Sequence, residues 1–158
     1  MITLDLPDEA ATAALAARIA GVAMPGDVIA LKGGLGAGKT AFARAFIRAR
    51  SGDANLPVPS PTFTLVQVYE LPAAPIWHFD FYRLRDAAEI WELGIEEAFT
   101  DGILLIEWPE IAKSLLPPTR TVEIALLPGA TPESRRVEIS NGPEWAARVD
   151  AFSADGLR

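Results

Sequence analysis

The sequence predicts a single α/β domain over residues 1–158, built as three layers with a mixed parallel and antiparallel central sheet. Three observations carry this expectation. Two short apolar runs, 27–32 and 102–106, read as buried strands. A glycine-rich stretch, GGLGAGKT at 33–40, joins the first of them to a helix. Late in the chain, 120–127 and 135–140 mix charged and apolar side chains, the pattern of antiparallel strands with one wet face.

The elements follow in order. Residues 7–20 read as a helix, with Asp8 and Glu9 in its first turn, where carboxylates meet the positive end of the helix dipole. Leu15, Ile19 and Val22 recur at helical spacing, and Gly21 and Pro25-Gly26 end the segment. After the strand at 27–32 comes a match to G-x-x-x-x-G-K-[ST], with Gly33, Gly38, Lys39 and Thr40 in the fixed places. Glycines let the backbone curl so that successive N–H groups form an anion-binding nest at the start of a helix. Lys39 is placed to reach β- and γ-phosphates and the Thr40 hydroxyl to meet Mg²⁺. The helix at 40–50 carries Phe42, Phe46 and Ile47, with Arg44 and Arg48 four apart, most simply a solvated face.

A loop at 51–60 precedes two runs, 63–70 and 76–82, separated by Pro72 and Pro75 and read as a hairpin. On the second run Ile76, His78, Asp80 and Tyr82 share one face and Trp77, Phe79 and Phe81 the other. With the aromatic side as core, Asp80 points toward solvent or a site. Residues 86–93 look helical, stopped by Gly94, and 95–99 form a further short turn or helix. The buried strand at 102–106 ends in Glu107-Trp108-Pro109. A carboxylate directly after such a strand is placed to hold Mg²⁺ beside a phosphate loop. A short helix at 109–116, the two late strands and a C-terminal helix at 143–152 complete the chain.

Half the 158 residues are apolar and 22% are charged, a globular composition with room for one core. With no cysteine and a single histidine, His78, disulfides, thiolate zinc sites, cysteine nucleophiles and His-rich metal centres are excluded. No apolar run approaches the roughly 20 residues of a membrane span. The opening MITLDLPDEA lacks the pattern of a secretory signal, so a cytoplasmic protein without membrane contact is expected. The net charge of −7 argues against a chain that grips nucleic acid unaided.

Five segments together resemble one family: LGAGKT (35–40), SPTFTLV (60–66), HFDFYRL (78–84), ELGIEE (92–97) and IEWPE (106–110). They are similar to the YjeE/TsaE family, small bacterial P-loop ATPases required for threonylcarbamoyladenosine (t⁶A) modification of tRNA. The resemblance covers about residues 7–136. It implies a P-loop NTPase-like fold in which Leu35, Gly36, Ala37, Gly38, Lys39 and Thr40 cradle ATP or ADP. It further implies that Thr40 and Glu107 hold Mg²⁺ and that Glu9 and Thr12 lie beside the adenine. Thr62 falls in a loop resembling a GTPase switch, and Asp80 would orient a water or the metal shell. Lys39, Thr62, Asp80 and Glu107 are thus the expected catalytic set. Arg136 is expected near the nucleotide, although Arg135 beside it leaves the register open. Pro59 stands where relatives often carry a polar residue, which stiffens the loop and leaves the motif intact.

The implied partners are the t⁶A transferase subunit and its paralogous companion (TsaD- and TsaB-type proteins), with tRNA reached through that complex. The implied reaction is slow, partner-stimulated ATP hydrolysis; Arg83 is the nearest candidate for an internal arginine finger, and none is evident. A small-molecule or nucleoside kinase is the alternative enzyme, disfavoured by the lack of an arginine-rich lid between 110 and 130. A nucleotide-gated binding module without turnover is the alternative outside catalysis. No N/T-K-x-D guanine-reading motif is present. His78 reads as a structural hydrogen-bonder and Trp108 as packing.

Overall fold

The computed structural model describes residues 1–154. Seven strands form one sheet: β1 (Ile2–Leu6), β2 (Val28–Lys32), β3 (Val66–Tyr69), β4 (Ile76–Asp80), β5 (Ile103–Glu107), β6 (Thr121–Pro128) and β7 (Arg135–Asn141). Their spatial order is β1-β7-β6-β2-β5-β4-β3. β6, β2, β5 and β4 are parallel neighbours, and β7 and β3 run against them. The sheet is therefore mixed, as expected, with its parallel part in the middle.

Strand alternation sorts the core into two halves. From β2, Ile29 and Leu31 face one side, where they pack with Leu15 and Ile19 of α1 (Glu9–Val22) and Phe42 and Phe46 of α2 (Lys39–Ser51). Val28 and Ala30 face the other, with Ile90 of α3 (Ala88–Trp91) and Ile95 and Ala98 of α4 (Ile95–Asp101). Each large side chain buried this way contributes on the order of 1.5–3 kcal/mol. Trp145 and Val149, the latter from α5 (Ala146–Ala154), close the first core.

Local chemistry sets the element ends. Asp8 caps α1 by accepting the Ala11 N–H at 2.9 Å. α2 closes on left-handed Gly52, whose N–H reaches the Arg48 carbonyl. Before α3, Asp86 accepts from Ala88 N while Glu89 accepts from Asp86 N, a reciprocal capping box.

Several elements of the fold depart from the sequence-based expectations. It adds β1, an edge strand paired with β7 ahead of the first expected element. β3 is four residues long because 61–65 folds into a turn, with the Leu65 N–H on the Pro61 carbonyl at 2.7 Å and Leu65 at φ 71°. Both faces of β4 are covered, so Ile76 and His78 are as buried as Phe79. The helix expected after Pro109 is a 3-10 helix, Pro109–Leu115. Arg44 and Arg48 are not a solvated face; they donate to the carbonyls of Val58 and Leu56 and fasten the loop before the Ser-Pro-Thr segment to α2.

Candidate functional site

Sheet order assembles the site. β2 ends at Lys32 and feeds the glycine loop, β5 ends at Glu107, and β4 ends at Asp80. In register, Glu107 lies beside Leu31 on one flank and Asp80 on the other. Parallel neighbours stand about 4.8 Å apart, so the loop and both acids share one end of the sheet. Ligands of open α/β sheets bind at this carboxyl end.

The loop needs its glycines for two separate reasons. At Gly33, with φ 146°, a Cβ would lie 2.7 Å from the Leu126 carbonyl oxygen. Gly38 sits at φ 106° as the residue capping α2, a backbone conformation that side chains resist. Lys39 opens the helix and is 4% exposed. Its ammonium donates to the carbonyls of Gly33 (2.7 Å) and Gly34 (2.6 Å) and lies 4.0 Å from the centre of the Trp108 ring. Burial pulls the Lys39 pKa below its usual value, against the opposing pull of Glu107, Asp80 and Glu110.

Thr40 Oγ1 donates to Glu107 Oε1 at 2.8 Å, bringing a hydroxyl and a carboxylate oxygen from distant segments to one point. Beside them Asp80 is 2% exposed. Its Oδ2 accepts from the Thr62 hydroxyl at 3.0 Å and its Oδ1 from Tyr82 N at 2.9 Å. Since Thr62 donates to Asp80, the 2.7 Å contact between Ser60 and Thr62 is donated by Ser60. Trp108 is left-handed (φ 58°, ψ 60°) directly before a proline, a strain on the order of 1–3 kcal/mol. That bend turns its ring over Lys39 and against Tyr82, with centroids 4.8 Å apart, so Trp108 covers the site and is not core packing.

Two cavities meet at the loop. One, about 260 Å³, is lined by Lys39, Thr40, Thr62, Asp80, Glu107 and Leu35. The other, about 570 Å³, is lined by Glu9, Thr12, Ala41 and Arg135. Both share Gly36, Ala37, Gly38 and Ala41. Arg136, expected beside the nucleotide, instead extends 3.4 Å from Asp5 on the outer strand. The residue on the loop is Arg135, donating to the carbonyls of Ala37 (2.8 Å) and Gly36 (3.2 Å). Neighbours on a strand face opposite ways, so only the pairing of β7 decides between them. His78 also belongs here, with its Nε2 2.7 Å from Glu107 Oε2. Arg83 lies over the Phe63 ring at 4.9 Å and lines neither cavity.

The donors suit a hard cation. Thr40 and Glu107 offer oxygens side by side, and no group of three or more His, Cys, Asp or Glu among the described residues forms an all-protein cage. Mg²⁺ is usually bound this way, by one or two protein oxygens together with substrate phosphates and water.

The threonylcarbamoyl adenosine biosynthesis protein TsaE family model matches residues 6–137. The chain belongs to the TsaE family. It is 45% identical over 125 residues to the tRNA threonylcarbamoyladenosine biosynthesis protein TsaE of Rickettsia felis, covering 78% of this chain and 72% of that protein. The Bacillus subtilis protein of the same name is 41% identical over 115 residues, covering 72% and 69%. Among solved structures, Bacillus subtilis YdiB superposes with a TM-score of 0.79 at 28% identity, over 98% of this chain and 95% of that one. The three-layer fold and a role in t⁶A biosynthesis follow from membership, and the phosphate loop implies nucleotide binding. No helix among the described residues is long and apolar enough to cross a membrane.

Proposed function

We propose that the chain is a Mg²⁺-dependent ATPase, slow by itself, that serves the t⁶A transferase subunit and its companion and reaches tRNA through them. One observation supports this above the others: Lys39, Thr40, Thr62, Asp80 and Glu107 come from four separate segments and line a single cavity beside the glycine loop.

The nucleotide lies across the loop, with adenine toward Glu9 and Thr12 and phosphates toward Lys39. The loop amides and Lys39 meet the phosphate oxygens, the lysine leaving the Gly33 and Gly34 carbonyls to do so. Thr40 and Glu107 hold Mg²⁺, which when bound offsets phosphate charge. Arg135 stiffens the loop from outside through its carbonyls. Water attacks the γ-phosphorus, the bond to the β-phosphate bridging oxygen breaks, and ADP and phosphate leave. Asp80 positions that water, since each of its oxygens has one bond within the protein and lone pairs to spare. Thr62 links this carboxylate to the Ser-Pro-Thr turn, so the turn senses what fills the cavity.

Lys39 is the one cation lining the phosphate-side cavity among the described residues. A missing arginine finger forfeits about 10³–10⁵ in rate, which fits a slow enzyme that depends on partners. The test is ATP hydrolysis with and without the transferase components. Asp80→Ala and Glu107→Ala are expected to lose partner-stimulated turnover. Either variant keeping full turnover refutes its assigned role, and phosphate passed to a nucleoside or sugar would mark a kinase instead.

A further inference from the structure

The single histidine lies under the site, in the middle of β4, on the same face as Ile76 and Asp80. It is fully buried, its Nδ1 has no partner, and its Nε2 stands 2.7 Å from Glu107 Oε2. Leaving a buried ring nitrogen unpaired is unfavourable, a cost that an apolar residue at this position would not carry. An ionised carboxylate only accepts, so Nε2 is the donor in this contact. Glu107 is thereby divided. Oε2 is tied down to the sheet by His78, and Oε1 is turned up to the Thr40 hydroxyl.

We propose that His78 is a positioning residue for the metal-binding carboxylate: it holds Glu107 Oε2 so that Oε1 alone is presented to the cation beside Thr40. This rests on the Mg²⁺ reading of Glu107 and Thr40 given above. Partners that hold a ligating group from behind affect metal affinity by about 10–100-fold, although they never touch the metal. A merely structural histidine would change folding stability and leave metal affinity alone.

The test is binding, independent of turnover. A non-hydrolysable ATP analogue is titrated calorimetrically into wild type, His78→Phe and His78→Gln, first in chelator and then across a Mg²⁺ series. His78→Phe removes the donor, whereas the Gln amide can restore it at the Nε2 position. The expected result is unchanged metal-free affinity in all three. The Mg²⁺ midpoint rises about 10–100-fold in His78→Phe and returns most of the way in His78→Gln. Should His78→Phe fail to fold, His78→Asn takes its place, because its shorter amide stops short of Glu107 and the same rise is expected. A variant lacking the donor with a wild-type midpoint overturns the proposal while leaving the ATPase reading intact. A wild type whose nucleotide affinity ignores Mg²⁺ overturns the metal reading, and the proposal with it.

Discussion

Gly33 and Lys39 do the most with the fewest atoms. A Cβ at Gly33 would meet the Leu126 carbonyl and the Ala37 methyl together, at 2.7 and 2.9 Å, with φ at 146°. Gly33→Ala is expected to lower stability by about 1–3 kcal/mol in denaturant unfolding and to weaken nucleotide binding further, since the loop must shift. Unchanged values on both counts would mean that the loop tolerates a side chain. Lys39 carries a pH signature. Its pKa in the free protein lies below 10.5, chiefly through burial. The buried ammonium therefore costs stability at neutral pH, and the cost is relieved as pH rises through the window between the lowered pKa and 10.5. Nucleotide affinity moves the opposite way and is lost through the same window as the charge goes. A plot of log Kd against pH should break below 10.5, and a break at or above it would contradict the burial.

Elements were legible where a local pattern and the fold agree. The buried strands at 27–32 and 102–106, the glycine loop and the helix after it all stand where periodicity puts them, and Glu107 and Asp80 end up adjacent. What escaped depends on contacts between distant segments. Ile2–Leu6 alternates apolar and polar side chains, itself a strand signal, but its place at the sheet edge comes only from its pairing with β7. Arg135 and Arg136 exchange places because one residue of register reverses a strand's faces. The burial of His78 depends on that face of β4 being covered by segments distant in the chain, as Ile76 beside it packs with Phe42, Val58 and Ile103. Asp27, read simply as the start of a strand, is fully buried and gathers Arg120, Arg148 and the Met24 N–H. This cluster ties the root of β2 to the C-terminal helix, at the opposite end of the strand from the glycine loop. Asp27→Ala should cost about 3 kcal/mol by thermal or denaturant unfolding, as for a broken buried ion pair. Nucleotide affinity of the folded fraction should stay at the wild-type value; a large loss of affinity would show that the cluster reaches the site.

For the molecule as a whole, charge and architecture lead to the same division of labour. A chain with net charge −7 supplies few phosphate contacts of its own. It is expected to give no saturable tRNA binding alone at physiological salt in a filter or mobility-shift titration, and to join tRNA only with the transferase components present. Tight, salt-sensitive binding by the isolated protein would place RNA recognition here instead. The mixed sheet serves the other half of that division: its parallel centre brings the loop, Glu107 and Asp80 to one end, and its antiparallel flank supplies Arg135 to the loop.

The proposed function requires the glycine loop and Lys39 to hold a nucleoside triphosphate with its metal over Thr40 and Glu107. Calorimetric titration of Mg·ATP into wild type and Lys39→Ala tests it most directly. One saturable site is expected in wild type, weakened at least about 30-fold in Lys39→Ala, as for a lost buried charge contact. No heat with wild type, or equal affinity in the two proteins, would contradict it.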